Sequence, residues 1–162
     1  MIAEHPYIIA SYLWNMFDFA VPMWERGGVP ARNLKGMVTF DRKIKKDSYY
    51  WYKANWSKEP VLYQTQRRNV DRERKETSVT VYSNIGTPVV YLNGKPLEGI
   101  RQGYTEVHYV FDKVTLAQGK NILKAVVSYQ GKEYVDEIEW NYTGEKNRGT
   151  IVHENKKEHA GW

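Results

Sequence analysis

The sequence predicts a mainly β chain: an immunoglobulin-like antiparallel β-sandwich over residues 59–144, preceded by a strand-loop-helix segment over 1–58 and followed by a polar tail over 145–162. Three observations carry this. From Pro60 onward, short runs rich in β-branched and aromatic residues recur at close spacing: Val61–Gln64, Ser78–Tyr82, Val89–Leu92, Val107–Val110, Ile122–Tyr129 and Glu133–Trp140. Between them stand two strong tight-turn dipeptides, Asn93-Gly94 and Gln130-Gly131, with Gly103 and Gly119 as further breaks. Val79/Val81, Leu123/Ala125/Val127 and Val135/Ile138/Trp140 alternate with polar residues, the last set with a bulge expected near Glu137. Six or seven strands at this spacing fit a sandwich.

Ahead of Pro60 the texture differs. Residues 7–20 begin with a near-continuous apolar run, Tyr7 to Trp14, after Pro6; it suits a strand buried on both faces, with a buried helix as the alternative that pattern leaves open. Residues 21–36 hold Pro22, Gly27, Gly28, Pro30 and Gly36 and read as a loop, with a short strand expected over Met37–Phe40. Asp47 or Ser48 caps a helix carrying Tyr49, Trp51, Tyr52 and Ala54 and ending near Ser57, before Glu59-Pro60. Beyond Tyr142 the chain is polar, with one short strand expected at Thr150–His153.

Composition narrows the function. The chain has 162 residues, too few for an eight-stranded barrel, which needs about 250. The aromatic share is 14%, with 13 Tyr and 6 Trp, which points to a compact core or to sugar-stacking surfaces. The net charge is +5, but the densest run, Arg67 to Glu76, mixes five positive with three negative residues, a solvated pattern that does not favour nucleic acid. Cysteine is absent, so no disulfide or thiolate chemistry is available, and any compartment is permitted. No window reaches the length of a membrane-spanning helix, and no membrane partner is expected. His5, His108, His153 and His159 show no metal-ligand spacing, and there is no phosphate loop or nucleophile elbow, so neither metal nor cofactor is expected.

The first 58 residues carry a family likeness. Ile2-Ala3-Glu4-His5-Pro6-Tyr7, Trp14-Asn15-Met16-Phe17-Asp18-Phe19 and Asn33 to Asp47 resemble, in this order, the end of the catalytic barrel of glycoside hydrolase family 2, with bacterial β-galactosidases of the gut Bacteroides type as the nearest likeness. Val81-Tyr82-Ser83-Asn84 and Val90 to Lys95 resemble the accessory sandwich that follows that barrel. The resemblance implies that residues 1–58 are the last strand, loop and helix of a (β/α)8 barrel, and that the chain is the C-terminal piece of a retaining exo-glycosidase acting on terminal β-galactosides. A periplasmic or extracellular parent is compatible with this.

The resemblance also implies roles. Trp14 would pack the apolar face of a pyranose at the end of the last barrel strand, where such pockets form. Asp18 would bond either a sugar hydroxyl or a neighbouring strand. Asn33 and Lys35 match an asparagine-x-lysine pattern that in related β-glucuronidases grips the substrate carboxylate, so β-glucuronides are the alternative substrate class. Arg42, Lys43, Lys45 and Lys46 are expected on a solvated face. Both catalytic glutamates are missing: retaining glycosidases need two carboxylates about 5–5.5 Å apart, and the family's Asn-Glu pair occurs nowhere. The chain alone is therefore expected to be inactive, and to associate with itself through residues 7–19, whose apolar side chains would lack their barrel neighbours. A stand-alone carbohydrate-binding or structural module is the competing reading. It would need coplanar exposed aromatics among Tyr82, Tyr91, Tyr104, Tyr109, Tyr129, Tyr134 and Trp140, yet their alternation with valines buries at least half.

Overall fold

The computed structural model describes residues 5–23 and 29–144. Two compact units divide between Lys46 and Asp47.

The second unit is the sandwich. Its larger sheet has strand order β4-β11-β10-β6-β7 and its smaller one β3-β5-β9-β8, with β3 Leu62–Gln64, β4 Asp71–Arg72, β5 Glu76–Ser83, β6 Val89–Leu92, β7 Lys95–Pro96, β8 Ile100–Gln102, β9 His108–Thr115, β10 Gly119–Tyr129 and β11 Lys132–Tyr142. All ladders in these sheets are antiparallel except β4 with β11. Side chains alternate across a strand, so Asn121, Leu123, Ala125 and Val127 of β10 turn inward while Lys120, Ile122 and Lys124 turn out. The core joins Val79, Val81 and Phe111 of one sheet to Val90, Leu123, Ala125, Ile138 and Trp140 of the other.

Both expected tight turns close hairpins. Leu92 faces Lys95 across Asn93-Gly94 (φ 50° and 81°), and Tyr129 faces Lys132 across Gln130-Gly131 (φ 49° and 74°). Positive φ at both central residues is the type I′ geometry, whose twist matches the strands.

The bulge expected near Glu137 is not there. The β10–β11 register runs unbroken from Gly119↔Tyr142 to Tyr129↔Lys132, so Val135 lies on the outer face opposite Val126 and is 48% exposed. The irregularity falls instead between β5 and β9, where Thr77 pairs with Val114 but Val79 with Phe111. Asp112 and Lys113, the latter at φ 55°, thus stand opposite Ser78 alone. The extra residue restores phase and lets Phe111 and Val114 both reach the core.

Helix α1 (Asp47–Trp56) packs on this sandwich. Tyr50 stacks on Tyr63 at 3.7 Å between ring centroids, and Ala54 is buried with Val61 and Tyr63. Asp47 ties the first turn to the sheet: Oδ1 accepts from the Tyr63 hydroxyl at 2.7 Å and Oδ2 from the Gln66 N–H at 2.8 Å. The helix closes with the Ser57 N–H donating to Lys53 O.

The first unit is an arch of extended chain. Its ladder is short, β1 (Phe19–Ala20) with β2 (Arg32–Asn33). The strand expected over 7–20 is reduced to these two residues plus a parallel bridge, Phe17 to Val38, and the strand expected over Met37–Phe40 to Val38, which also bridges Lys45. Tyr7, Ile9, Tyr12 and Trp14 are exposed. A strand buried on both faces needs partners along both edges, and among the described residues segment 7–14 has none. The polar tail and the strand expected at 150–153 lie outside the described residues, as do residues 24–28.

Candidate functional site

The four candidate sugar-contacting residues all lie on the arch. Its centre is Asp18, which is 2% exposed. Asp18 Oδ1 accepts from the Gly36 N–H at 2.9 Å and from Lys46 Nζ at 2.6 Å. Backbone bonds lace the two limbs around it: Met37 N–H to Asn15 O, Val38 N–H to Met16 O and Asp18 N–H to Val38 O, all between 2.9 and 3.1 Å. Residue 36 must be glycine here. A Cβ on Gly36 would lie 2.0 Å from Asp18 N and 2.1 Å from Phe17 C, and backbone cannot step aside.

Lys46 also donates to Leu34 O at 2.9 Å, so one ammonium fixes both the carboxylate and the loop crest. Arg42 closes the other side, donating to the carbonyls of Asp18 and Phe40, each at 3.0 Å, with its guanidinium 4.1 Å from the Phe17 ring. Arg42 and Lys46 were expected on a solvated face; the structure uses both to hold the arch. A carboxylate as buried as Asp18 demands a counter-charge, but the partner is 28 positions away, so spacing alone does not disclose the pair.

Around this hub the other residues are placed differently. Trp14, followed by a cis peptide bond, is 75% exposed and meets the edge of Phe19 at 6.0 Å. Phe19 is the register partner of Asn33, so the tryptophan and the asparagine-x-lysine loop flank one short ladder. Asn33 is 7% exposed, and its Oδ1 accepts the Lys35 N–H at 3.0 Å. That bond bends the chain so that Lys35 stands at the exposed crest. The arch thus presents an open aromatic ring beside Phe19 and an ammonium on a turn shaped by the buried Asn33.

Among the described residues of the arch, the carboxylates of Asp18 and Asp41 are both engaged in holding its fold. Asp41 is tied into its own turn, accepting from Thr39 Oγ1 at 2.6 Å and the Lys43 N–H at 3.1 Å, which lowers its pKa. Among the described residues, no group of three His, Cys, Asp or Glu side chains could hold a metal ion. The aromatics that a binding module would need do not form a platform: Trp140 is buried, Tyr104 is 82% exposed and tilts against His108, and Tyr129 and Tyr134 meet edge to face.

No protein-family model matches this chain. It is 36% identical over 143 residues to a β-glucuronidase of Bacteroides fragilis, spanning 88% of this chain and 20% of that protein. It is 31% identical over 147 residues to a putative β-glucuronidase of Formosa agariphila, spanning 86% and 18%. Among solved structures, a putative β-galactosidase from Bacteroides fragilis matches with a TM-score of 0.87 and 81% identity over 91% of this chain and 22% of the other. An FMN-binding β-glucuronidase from F. prausnitzii L2-6 matches with a TM-score of 0.76 and 38% identity, over 90% and 22%. The chain spans about a fifth of the length of the curated relatives it matches. It is homologous to that fraction of glycosidases named as β-glucuronidases and β-galactosidases.

Proposed function

We propose that the chain is the C-terminal portion of a retaining exo-glycosidase of glycoside hydrolase family 2. By descent, residues 1–58 are the end of its barrel and residues 59–144 its accessory sandwich. In the parent the arch forms one wall of the sugar subsite. Trp14 offers its ring to the apolar face of the pyranose, and Asn33 and Lys35 face its C5 substituent. Asp18 acts through the others, as a positioning residue that locks Gly36 and the loop crest. The acid/base and nucleophile come from the rest of the parent.

The observation that carries this is the Asn33–Lys35 crest: the asparagine is buried to shape the turn while the ammonium stands exposed. An ammonium held this way suits a carboxylate, which favours β-glucuronides, in keeping with the names of the two curated relatives. The β-galactoside reading is supported by the name of the 81% identical structure. The test is Lys35→Ala in the full-length parent. A charge-assisted hydrogen bond contributes roughly 1.5–3 kcal/mol, so kcat/KM for nitrophenyl β-glucuronide should fall about 10- to 100-fold while nitrophenyl β-galactoside hydrolysis stays within about twofold. Faster turnover of the galactoside by the unaltered parent, insensitive to Lys35, assigns the neutral sugar. The 162-residue chain alone should hydrolyse neither; turnover that Glu106→Gln removes would sink the reading.

A further inference from the structure

The sequence contains a single Asn-Gly pair, Asn93-Gly94, in the turn between β6 and β7. Glycine lets other groups approach its backbone closely, so an asparagine side chain meets little hindrance in reaching the nitrogen that follows it. The pair is thereby set up for spontaneous loss of the side-chain amide. Gly94 N gives its proton to hydroxide and bonds to Asn93 Cγ. The Cγ–Nδ2 bond breaks, and ammonia leaves carrying a proton from water, which regenerates the hydroxide. Water then opens the cyclic imide at either carbonyl, leaving aspartate or isoaspartate. Surroundings favour the reaction: both residues are exposed, and a Cβ on Gly94 would meet nothing within 4 Å.

The side chain is nevertheless held at both ends. Asn93 Oδ1 accepts the Ile122 N–H at 2.8 Å, and Nδ2 donates to Asn121 Oδ1 at 3.1 Å. Asn121 is wholly inaccessible and cannot follow if Asn93 moves. Its Oδ1 also accepts the Ala117 N–H, and its Nδ2 donates to the carbonyls of Ala117 and Gly119, each at 2.8 Å. Backbone N–H groups thus fix which atom of each amide is the oxygen, and neither amide can flip without losing bonds. Ring closure requires Asn93 to give up both of its own. We propose that Asn93 is a latent deamidation site locked by Asn121, and that release of this lock sets the rate of modification. The change does not stay in the turn. Aspartate at 93 sets an acceptor oxygen against Asn121 Oδ1, where Nδ2 had donated, and so disturbs the 117–119 turn that the same Asn121 amide holds.

The experiment incubates the full chain in mild alkali, folded and in urea, and follows residue 93 by peptide-mapping mass spectrometry with isoaspartate detection. Each hydrogen bond that must break before ring closure slows the reaction, so the folded chain should convert roughly 10- to 100-fold more slowly than the unfolded one. Asn121→Ala, shown to be folded by far-ultraviolet circular dichroism, should regain severalfold of that rate. Asn93→Asp, which leaves every buried residue in place, should move the ¹⁵N-NMR amide signals of Ala117 and Gly119 while those of Gln130 and Gly131, at the other hairpin, stay where they are. Folded and unfolded rates within twofold of each other overturn the proposal. Conversion in folded Asn121→Ala no faster than in the unaltered chain does so too, as do Ala117 and Gly119 signals that Asn93→Asp leaves unmoved.

Discussion

In the sandwich, Val81, Val90, Leu123 and Ala125 are wholly inaccessible and the polar groups mostly face water, whereas on the arch Asp18, at 2% exposure, lies deeper than Val38, at 4%. Along residues 7–14 of the arch the apolar side chains are on the outside: Ile9 is fully exposed and Tyr12 93% exposed. One region is held by burial of hydrocarbon, worth about 25 cal/mol per Å². The other is held by a laced backbone and the buried Asp18–Lys46 ion pair, a device that fixes geometry more than it adds stability. A segment built in this way keeps its shape while leaving its apolar surface free for a partner.

The largest effect should come from the hydrocarbon core. Leu123→Ala leaves a cavity between the sheets and should cost about 3 kcal/mol, read as a lower urea midpoint by far-ultraviolet circular dichroism. The arch amides, Gly36 and Val38, should exchange with solvent as before. Equal loss of their protection would mean that the two regions fold as one, and the contrast would collapse.

The converse substitution is Lys46→Met, which strands Asp18 without its cation. Breaking a buried pair from one side costs about 3–5 kcal/mol; here Lys46 keeps 15% side-chain exposure, so the lower end applies. The loss should appear as faster hydrogen exchange at Gly36 and Val38, with the sandwich midpoint unmoved. Gly36→Ala should produce the same local signature, because its Cβ would collide with Phe17 and Asp18 backbone.

These two regions were also unequally legible. Hairpins at Asn93-Gly94 and Gln130-Gly131 follow from local chemistry, since few dipeptides take positive φ twice, and the inward set Leu123, Ala125, Val127 follows from alternation. The β9 bulge was hidden because Asp112-Lys113 looks like any polar pair. The Arg72–Trp140 stack, the Asp47 bonds to Tyr63 and Gln66, and the Asp18–Lys46 pair join residues distant in sequence, which no window can register. On the arch, the apolar run 7–14 has the pattern of a doubly buried strand, but burial depends on neighbours that the run itself does not specify.

That exposed run should make the chain self-associate. Tyr7, Ile9, Tyr12 and Trp14 together offer apolar area that soluble monomers seldom leave open. Light scattering across a concentration series should show dimers or larger species, and Ile9→Asp with Tyr12→Asp should return a monomer without changing the sandwich spectrum. A clean monomer of the unaltered chain at high concentration would show that the arch tolerates its own exposure.

The smallest effect separates the regions by pH. His108, 8% exposed at the start of β9, accepts the Tyr104 N–H on Nδ1 at 3.0 Å, and the loop from Gly103 folds over its ring. Tyr82 meets the ring edge to face, Tyr104 tilts against it, and Arg101 adds positive charge. Burial first, then Arg101, lowers its pKa below the usual 6.5. The folded state therefore holds fewer protons on this group than the unfolded chain, and stability falls as pH drops below about 6.5 and through the folded value, levelling off beneath it. Protonation also converts Nδ1 from acceptor to donor, so the Tyr104 amide signal should move in the same window while Gly36 on the arch stays still. His108→Gln, whose Oε1 can still accept the bond, should flatten this part of the profile between pH 7.5 and 5.5; an unchanged slope would assign the acid sensitivity to other groups.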